Sequence, residues 1–418
     1  MKLFSFFIFL FFCASAAADT GAAAAQSMNQ LGLDLFRAVQ TPGENICLSP
    51  YSIQTALAMT YAGADGDTRD EMASVLHARG DDAAFHRSVS GLQHELSEVA
   101  AKSKAQIQDV RKYGGTPGDP IIFQWANRLY GKSGYTFRDA FLTLLNDVYG
   151  APLEQVEFSD AVAEKINLWV EEQTAKRIRN LIPNGVLDSA TRLVLVNALY
   201  LKAPWAESFS AAATKDEPFH VRGGAGVAVP TMNRQDHYGY ASLDGYSLVT
   251  IPYVGFDLQF VLIVPDAVNG LPEIEKKLSP EIFAKAAAPE YKDVILHLPK
   301  FKLESGSIML SRALQELGMH TAFDDPKGSA NFDRMAERKP NDYLLISEVI
   351  HKTFFAIDEK GTEAAAATAV VMLAGAAMNP NPPKPIEVKV DRPFLFAVQH
   401  KASGAVLFLG RVTDPKAH

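Results

Sequence analysis

The sequence of 418 residues has two cysteines, no excess of positive charge and no apolar run long enough to span a bilayer. Each absence excludes something. A disulfide scaffold cannot be built from so few thiols, and a chain of this length buries enough apolar surface to fold without one. Forty Lys and Arg stand against 48 Asp and Glu, a net charge of −8, which argues against nucleic acid as the main partner. Catalytic motifs are also missing: there is no G-x-S-x-G elbow and no H-E-x-x-H. Gly131-Lys132-Ser133 ends like a phosphate loop, but Ala126 occupies the first glycine position, so the cradle cannot form. The ten histidines are scattered without metal-ligand spacing. No enzyme, no metal and no cofactor are therefore expected. What is present, 48% hydrophobic and 21% charged residues, belongs to an ordinary folded globular protein.

The N-terminus reads as a targeting segment. Met1-Lys2 supplies a positive start, Leu3 to Phe12 is apolar except for Ser5, and Ala14-Ser15-Ala16-Ala17-Ala18 follows. That order of charge, short apolar stretch and small residues predicts a secretory signal peptide over residues 1–18, cleaved after Ala16 or Ala18. A membrane anchor is disfavoured, because the apolar stretch falls short of the ~20 residues a bilayer demands. The product would be secreted, or periplasmic in a Gram-negative host. Cys13 lies inside the signal, leaving Cys47 alone in Ile46-Cys47-Leu48, where a buried small hydrophobe is expected. None of the 14 asparagines begins an N-x-Ser/Thr sequon, in keeping with a bacterial envelope or secreted protein.

Residues 19–27 read as a flexible Ala-rich leader with nothing to pack. From Met28 a helical pattern sets in, with Leu31, Leu35 and Val39 on one face, and a second amphipathic helix is predicted over about 161–179 on Ile166, Trp169 and Val170. Leu193 to Leu201 is almost continuously apolar, as a strand buried on both faces requires. Further strands are predicted at 258–264, 294–298, 394–398 and 406–409, and residues 113–120 carry the turn chemistry of a surface loop. Lys102, Lys104, Arg111 and Lys112 could form a patch for a polyanion, but Glu98 and Asp109 interrupt it, which favours a solvated helix face. With no internal repeat and no linker, one mixed α+β domain is expected, helices mostly early and strands mostly late.

One segment fits no element. Between Gly361 and Met378 lie eight alanines, and no charge occurs in the 20 residues from Ala364 to Pro383. Alanine favours helix, whereas Thr368, Val370 and Val371 are stiff at χ1 and favour strand. Asn379-Pro380-Asn381-Pro382-Pro383-Lys384-Pro385 then forbids regular structure.

This segment resembles the hinge and reactive-centre loop of the serpins, serine-protease inhibitors of the antitrypsin and antithrombin type. Asn45-Ile46-x-x-Ser49-Pro50-x-Ser52, Leu195-Val196-Asn197-Ala198-x-Tyr200-x-Lys202-x-x-Trp205, Leu296-His297-Leu298-Pro299-Lys300-Phe301, His351-Lys352, Asp391-Arg392-Pro393-Phe394 and Phe408-Leu409-Gly410-Arg411-Val412 extend the resemblance in order from about residue 28 to 414. It implies a single serpin domain over 28–414, with three β-sheets, a large one central, eight or nine helices, and an exposed reactive-centre loop at about 359–385. It also implies inhibition of a serine-type endopeptidase as a suicide substrate. The protease acylates the loop, the cut loop inserts into the central sheet, and the acyl-enzyme is trapped in a covalent 1:1 complex.

By this resemblance the hinge is Glu359, Gly361, Thr362, Glu363 and Ala364, Ala365, Ala366, Ala367. Trp205 lies where the loop enters the sheet, and Ser49, Ser52, Asn197 and His351 form the polar shutter beneath it. Side chains alternate along an inserted strand. If Thr362 faces inward, Ala364, Ala366, Thr368, Val370 and Met372 follow it, and Glu363 stays in solvent. Counting 17 residues from Glu359, the usual family spacing, puts the scissile bond between Gly375 and Ala376; aligning on Ala-Gly-x-x-x-Asn-Pro moves it to Ala376–Ala377. Either way the recognised side chain is tiny, which suits an elastase-like or subtilisin-like target. Alternatives are a papain-like cysteine protease as target, or a non-inhibitory serpin acting as a binding protein or chaperone. A monomer is expected, with no nucleic-acid or membrane partner. Loop–sheet polymers are an alternative, because the uncharged 368–373 stretch can donate a strand.

Overall fold

The computed structural model describes residues 9–78, 80–113, 118–221, 224–304, 306–363 and 384–417. Among them are nine α-helices, six of which precede residue 174, and 16 strands. The apolar run at 193 becomes the strand Leu193–Pro204, whose first nine residues are all buried. It lies in a seven-stranded sheet ordered Phe301–Glu304, Ile346–Asp358, Gly361–Thr362, Leu193–Pro204, Ile122–Lys132, Glu154–Val156, with Ile308–Met309 also on Ile346–Asp358.

The remaining strands form a nine-stranded sheet instead of the two smaller sheets expected. Its order is Ile46–Leu48, Val406–Val412, Phe394–His400, Leu258–Pro265, Tyr246–Pro252, Gly226–Leu243, Tyr291–Pro299, Ile386–Lys389, with Lys215–His220 on Gly226–Leu243. The cause is the length of Gly226–Leu243. Its first part pairs with Lys215–His220 and Tyr291–Pro299, and its last part with Tyr246–Pro252, so one strand joins both halves. Gly239 sits at the junction, where a Cβ would overlap Thr250 Oγ1 and lie 2.5 Å from Pro289 Cγ.

Between the sheets runs the helix Pro50–Tyr61, buried at every position. Its start is set by two adjacent residues. The Ser49 hydroxyl accepts from the Ser52 N–H at 3.2 Å, and Pro50 fixes the first helical φ. Cys47 is fully buried just before it, and burial pushes the thiol up to about 12 against the opposing Thr353 contact.

Two expectations need correction. Residues 19–27 are helical, within a helix spanning Phe9–Val39, and Ala24, Ala25 and Ser27 are buried. Small side chains let this stretch lie close against Asp82–Lys112, with Ala25 and Met28 in one cluster with Leu92, Leu96 and Val99. The helix predicted over 161–179 is Asp160–Gln173. It stops because Ala175 and Lys176 turn left-handed at φ 49° and 63°, just after Thr174, whose hydroxyl donates to Val170 O at 2.7 Å. Lys102, Lys104, Arg111 and Lys112 are all exposed on Asp82–Lys112, and Lys102 lies 3.8 Å from Glu98.

Candidate functional site

The two long central strands, Leu193–Pro204 and Ile346–Asp358, are bonded directly to each other in parallel only from Ile346/Leu193 to Thr353/Leu199. Above that point they diverge, and Gly361–Thr362 occupies the gap. Thr362 pairs antiparallel with Ala203 on one side and Ile357 on the other. The chain doubles back at Asp358, whose carboxylate accepts the Lys360 N–H at 2.8 Å. Gly361 has φ +150°, and a Cβ there would overlap the Ala203 carbonyl oxygen and sit 2.7 Å from Pro204 Cα. No other residue fits this turn.

Trp205 fastens the turn from above. Its backbone N–H donates to Lys360 O at 2.8 Å and its indole N–H to Asp358 O at 2.9 Å. Its ring stacks on Tyr253 at 4.8 Å, and the Tyr253 hydroxyl bonds the Thr362 hydroxyl at 2.5 Å. Thr362 thus faces inward, at 1% exposure. Glu359 receives Lys300 Nζ at 2.8 Å and the Thr214 hydroxyl at 2.8 Å. Burial disfavours its charge, yet Lys300, its own backbone N–H and Thr214 together hold the carboxyl below the usual range.

Glu363, expected in solvent only once the loop is inserted, is held here in the uninserted hinge. Its side chain is 10% exposed and ion-paired with Arg177, at a backbone φ of +47°. Burial raises this carboxyl, with Arg177 opposing the shift. The end of the described hinge is therefore pinned by a cation from the turn after Asp160–Gln173.

Beneath the hinge lies the polar group expected from Ser49, Ser52, Asn197 and His351, all fully buried. The Ser49 N–H donates to His351 Nε2 at 3.1 Å, so Nε2 is an acceptor and Nδ1 carries the proton that it donates to Asn197 Oδ1 at 2.7 Å. The Ser52 hydroxyl donates to Asn197 Oδ1 at 2.7 Å, and Asn197 Nδ2 donates to Ser52 O. The two central strands are thus joined by side chains as well as by backbone where they close. Asn127, which the sequence did not single out, is also a member: its Oδ1 lies 3.1 Å from Ser52 Oγ and 3.4 Å from Asn197 Nδ2. Tyr253, Arg177 and Thr214 were likewise missed. Nothing in their local sequence marks them, whereas Lys300 stood inside the quoted 296–301 motif without its role being visible.

Burial pushes the His351 imidazole down to about 3, so it is neutral in the folded chain when the unfolded chain is already protonated. Between about 6.5 and 3 the unfolded state therefore binds more protons, and stability falls as pH drops, by up to about 1.4 kcal/mol per pH unit for this group. His86, lowered to about 4, and His400 act in the same direction. Urea unfolding at pH 7.5, 6 and 5 should show a shallower loss for His351→Gln than for the wild type. Equal slopes would acquit His351.

Ala364, Ala365, Ala366, Ala367, Gly375, Ala376 and Ala377 lie outside the described residues. Among the described residues no group of three or more His, Cys, Asp or Glu could hold a metal ion, and no helix is long and apolar enough to cross a membrane.

A central sheet that closes below a half-open top, a glycine turn feeding one short strand into that opening and a buried polar clasp underneath define a class. The family pattern Serpin (serine protease inhibitor) matches residues 26–415. The leukocyte elastase inhibitor of Sus scrofa is 35% identical over 400 residues, covering 92% of this chain and 98% of that protein. Uncleaved ovalbumin superposes with a TM-score of 0.76 at 27% identity, covering 94% of this chain and all of that one. The thermophilic serpin tengpin in its native state gives 0.77 at 26% identity, covering 93% and 94%. The chain belongs to the serpin family.

Proposed function

We propose that this chain inhibits serine endopeptidases as a suicide substrate, with an elastase-like or subtilisin-like enzyme as the target. The observation that carries the reading is the hinge: Gly361–Thr362 already lies between the two central strands, so insertion has only to be extended. The next inward positions are Ala364 and Ala366, and no charge follows until Lys384, so burial meets neither bulk nor an unpaired ion. The recognised residue, Gly375 or Ala376, suits a shallow specificity pocket, and similarity to leukocyte elastase inhibitors supports the same target class. The partner is the protease, held in a covalent 1:1 complex by a monomeric inhibitor. Residues 1–18 act as a secretory signal, so the inhibitor works outside the cytoplasm.

Mixing the mature protein with pancreatic elastase or subtilisin tests this on a denaturing gel. A band near the summed mass that survives boiling in detergent is expected, and mass spectrometry of the released C-terminal fragment separates Gly375–Ala376 from Ala376–Ala377. A cleaved chain beside fully active protease, with both enzymes, would sink the reading and favour a binding or chaperone role.

A further inference from the structure

A cleft of about 470 Å³ opens at the foot of the molecule, between the loop after Asp324 and the turn that leads into Ile346–Asp358. Its charged lining is Lys327, Arg338 and Lys339, with no carboxylate among the lining residues. Three like charges around one cleft repel one another, and a chain of net charge −8 has no general excess of cations to account for them. Lys327 and Lys339 are exposed and form no ion pair among the described residues. Arg338 is held in place instead. Its guanidinium lies 4.3 Å from the Tyr343 ring centroid and donates to Ala330 O at 2.6 Å and to Gly328 O. The rest of its planar fork of N–H donors stays unspent. Neighbouring carboxylates are committed elsewhere. Asp324 accepts the Gly328 N–H at 2.8 Å, the Ala330 N–H at 3.2 Å and the Tyr343 hydroxyl at 3.0 Å, and Asp342 accepts the Tyr135 hydroxyl.

We propose that this cleft binds a phosphate monoester carried on a sugar. Three cations match a dianion better than a single charge, and a guanidinium fixed by two carbonyls and a ring is suited to phosphate oxygens. Pro340 and Tyr343 offer apolar surface for a sugar ring, and the Asn341 carboxamide, without a partner among the described residues, supplies a donor and an acceptor for its hydroxyls. The turn presents these groups firmly. Lys339 and Asp342 exchange both backbone bonds at 3.2 Å, and Asn341 takes φ +62°, which Asn tolerates better than most residues. Small-ligand sites run from about 300 to 1,000 Å³, so the cleft has room for more than a lone phosphate.

The site is separate from the hinge. Ile346–Asp358 spans 13 residues at about 3.3 Å each, so about 40 Å of strand lies between the cleft and the Asp358 turn. An occupant therefore leaves the hinge free. None of this depends on protease inhibition, and the test does not use it.

Calorimetric titration of the full chain with glucose 6-phosphate, at pH 7.5 and low salt, should give saturable 1:1 binding. Glucose 6-sulfate, of similar shape with less charge, should bind about tenfold more weakly, and so should inorganic phosphate, which lacks the ring. Lys327→Ala and Lys339→Ala remove exposed side chains without structural partners, so both variants should fold. Each should weaken glucose 6-phosphate about tenfold. Lys104→Ala, on the exposed face of Asp82–Lys112, should leave the affinity unchanged. Absence of saturable binding would overturn the site. Equal affinity for the phosphate and sulfate esters would overturn the choice of a dianion, and equal affinity for inorganic phosphate would remove the sugar from the assignment. Affinity unchanged in both cleft variants would place the anion elsewhere on the surface and refute the proposal.

Discussion

Thr362→Arg is expected to leave the chain folded and to abolish covalent trapping, turning the inhibitor into a substrate. The folded state tolerates the change because the hinge contributes only two residues to the sheet, while Ile346–Thr353 and Leu193–Leu199 close on each other independently. Arginine cannot stay where threonine is. Thr362 is 1% exposed, hemmed by Ala203 and Ile357 and bonded to the Tyr253 hydroxyl, and the nearby Glu363 is already matched by Arg177. An unpaired charge at that point would cost several kcal/mol. The native hinge escapes by leaving the gap, but the cleaved loop must pass Thr362 inward first. Each 1.4 kcal/mol added to that step slows it about tenfold, so insertion falls behind hydrolysis of the acyl-enzyme by a factor of about a hundred or more. Stoichiometry of inhibition and a denaturing gel measure the outcome, with Thr362→Ser as the conservative control. Thr362→Arg forming complexes at the wild-type rate would refute the insertion account.

The elements that proved legible are those whose signal is local. Leu193 to Leu201 announces a strand buried on both faces by its almost continuous apolar run. The hinge at Gly361 was legible only through the resemblance to the serpins, because its residues alone carry conflicting helix and strand preferences. The site residues that stayed hidden act through distant partners. Glu363 is one, because alternation along an inserted strand says nothing of its partner before insertion. In the uninserted hinge the chain turns left-handed there, and Arg177, far away in sequence, closes over the carboxylate. Asn127 is one polar residue in a strand, and only folding brings it to Ser52 and Asn197. The Ala-rich stretch before Met28 seemed unable to pack because small side chains bury little. Closeness of approach to Asp82–Lys112 is what makes it pack, and periodicity does not reveal that. The fusion of two expected sheets into one follows from the reach of Gly226–Leu243, a property of one strand's length.

Cleaving the reactive loop is expected to raise the melting temperature by about 15 °C or more. In the intact chain the clasp region carries one parallel ladder between the central strands. An inserted strand replaces it with two antiparallel ladders, adding about a dozen hydrogen bonds at ~0.5–1.5 kcal/mol net each, together with apolar burial. The opposing cost is the Ser49–Ser52–Asn197–His351 network, whose His351–Asn197 bond joins the two strands that must part. Its bonds are few and each net contribution is about 1 kcal/mol, so the balance stays near ten kcal/mol in favour of insertion. A stability gain of that size moves the transition of a chain this long by tens of degrees at most, since each kcal/mol is worth about 2–4 °C in somewhat smaller domains. The intact state is then held by a barrier, with the clasp as part of it. Limited digestion with a protease that cuts in 364–383, followed by calorimetry, measures the shift. Thr362→Arg, nicked in the same way, should melt near the intact wild type, because its first inward residue blocks the insertion that produces the gain. An unchanged melting point in nicked wild type would mean that the poised hinge does not propagate into the sheet, and a binding role without trapping would take the place of inhibition.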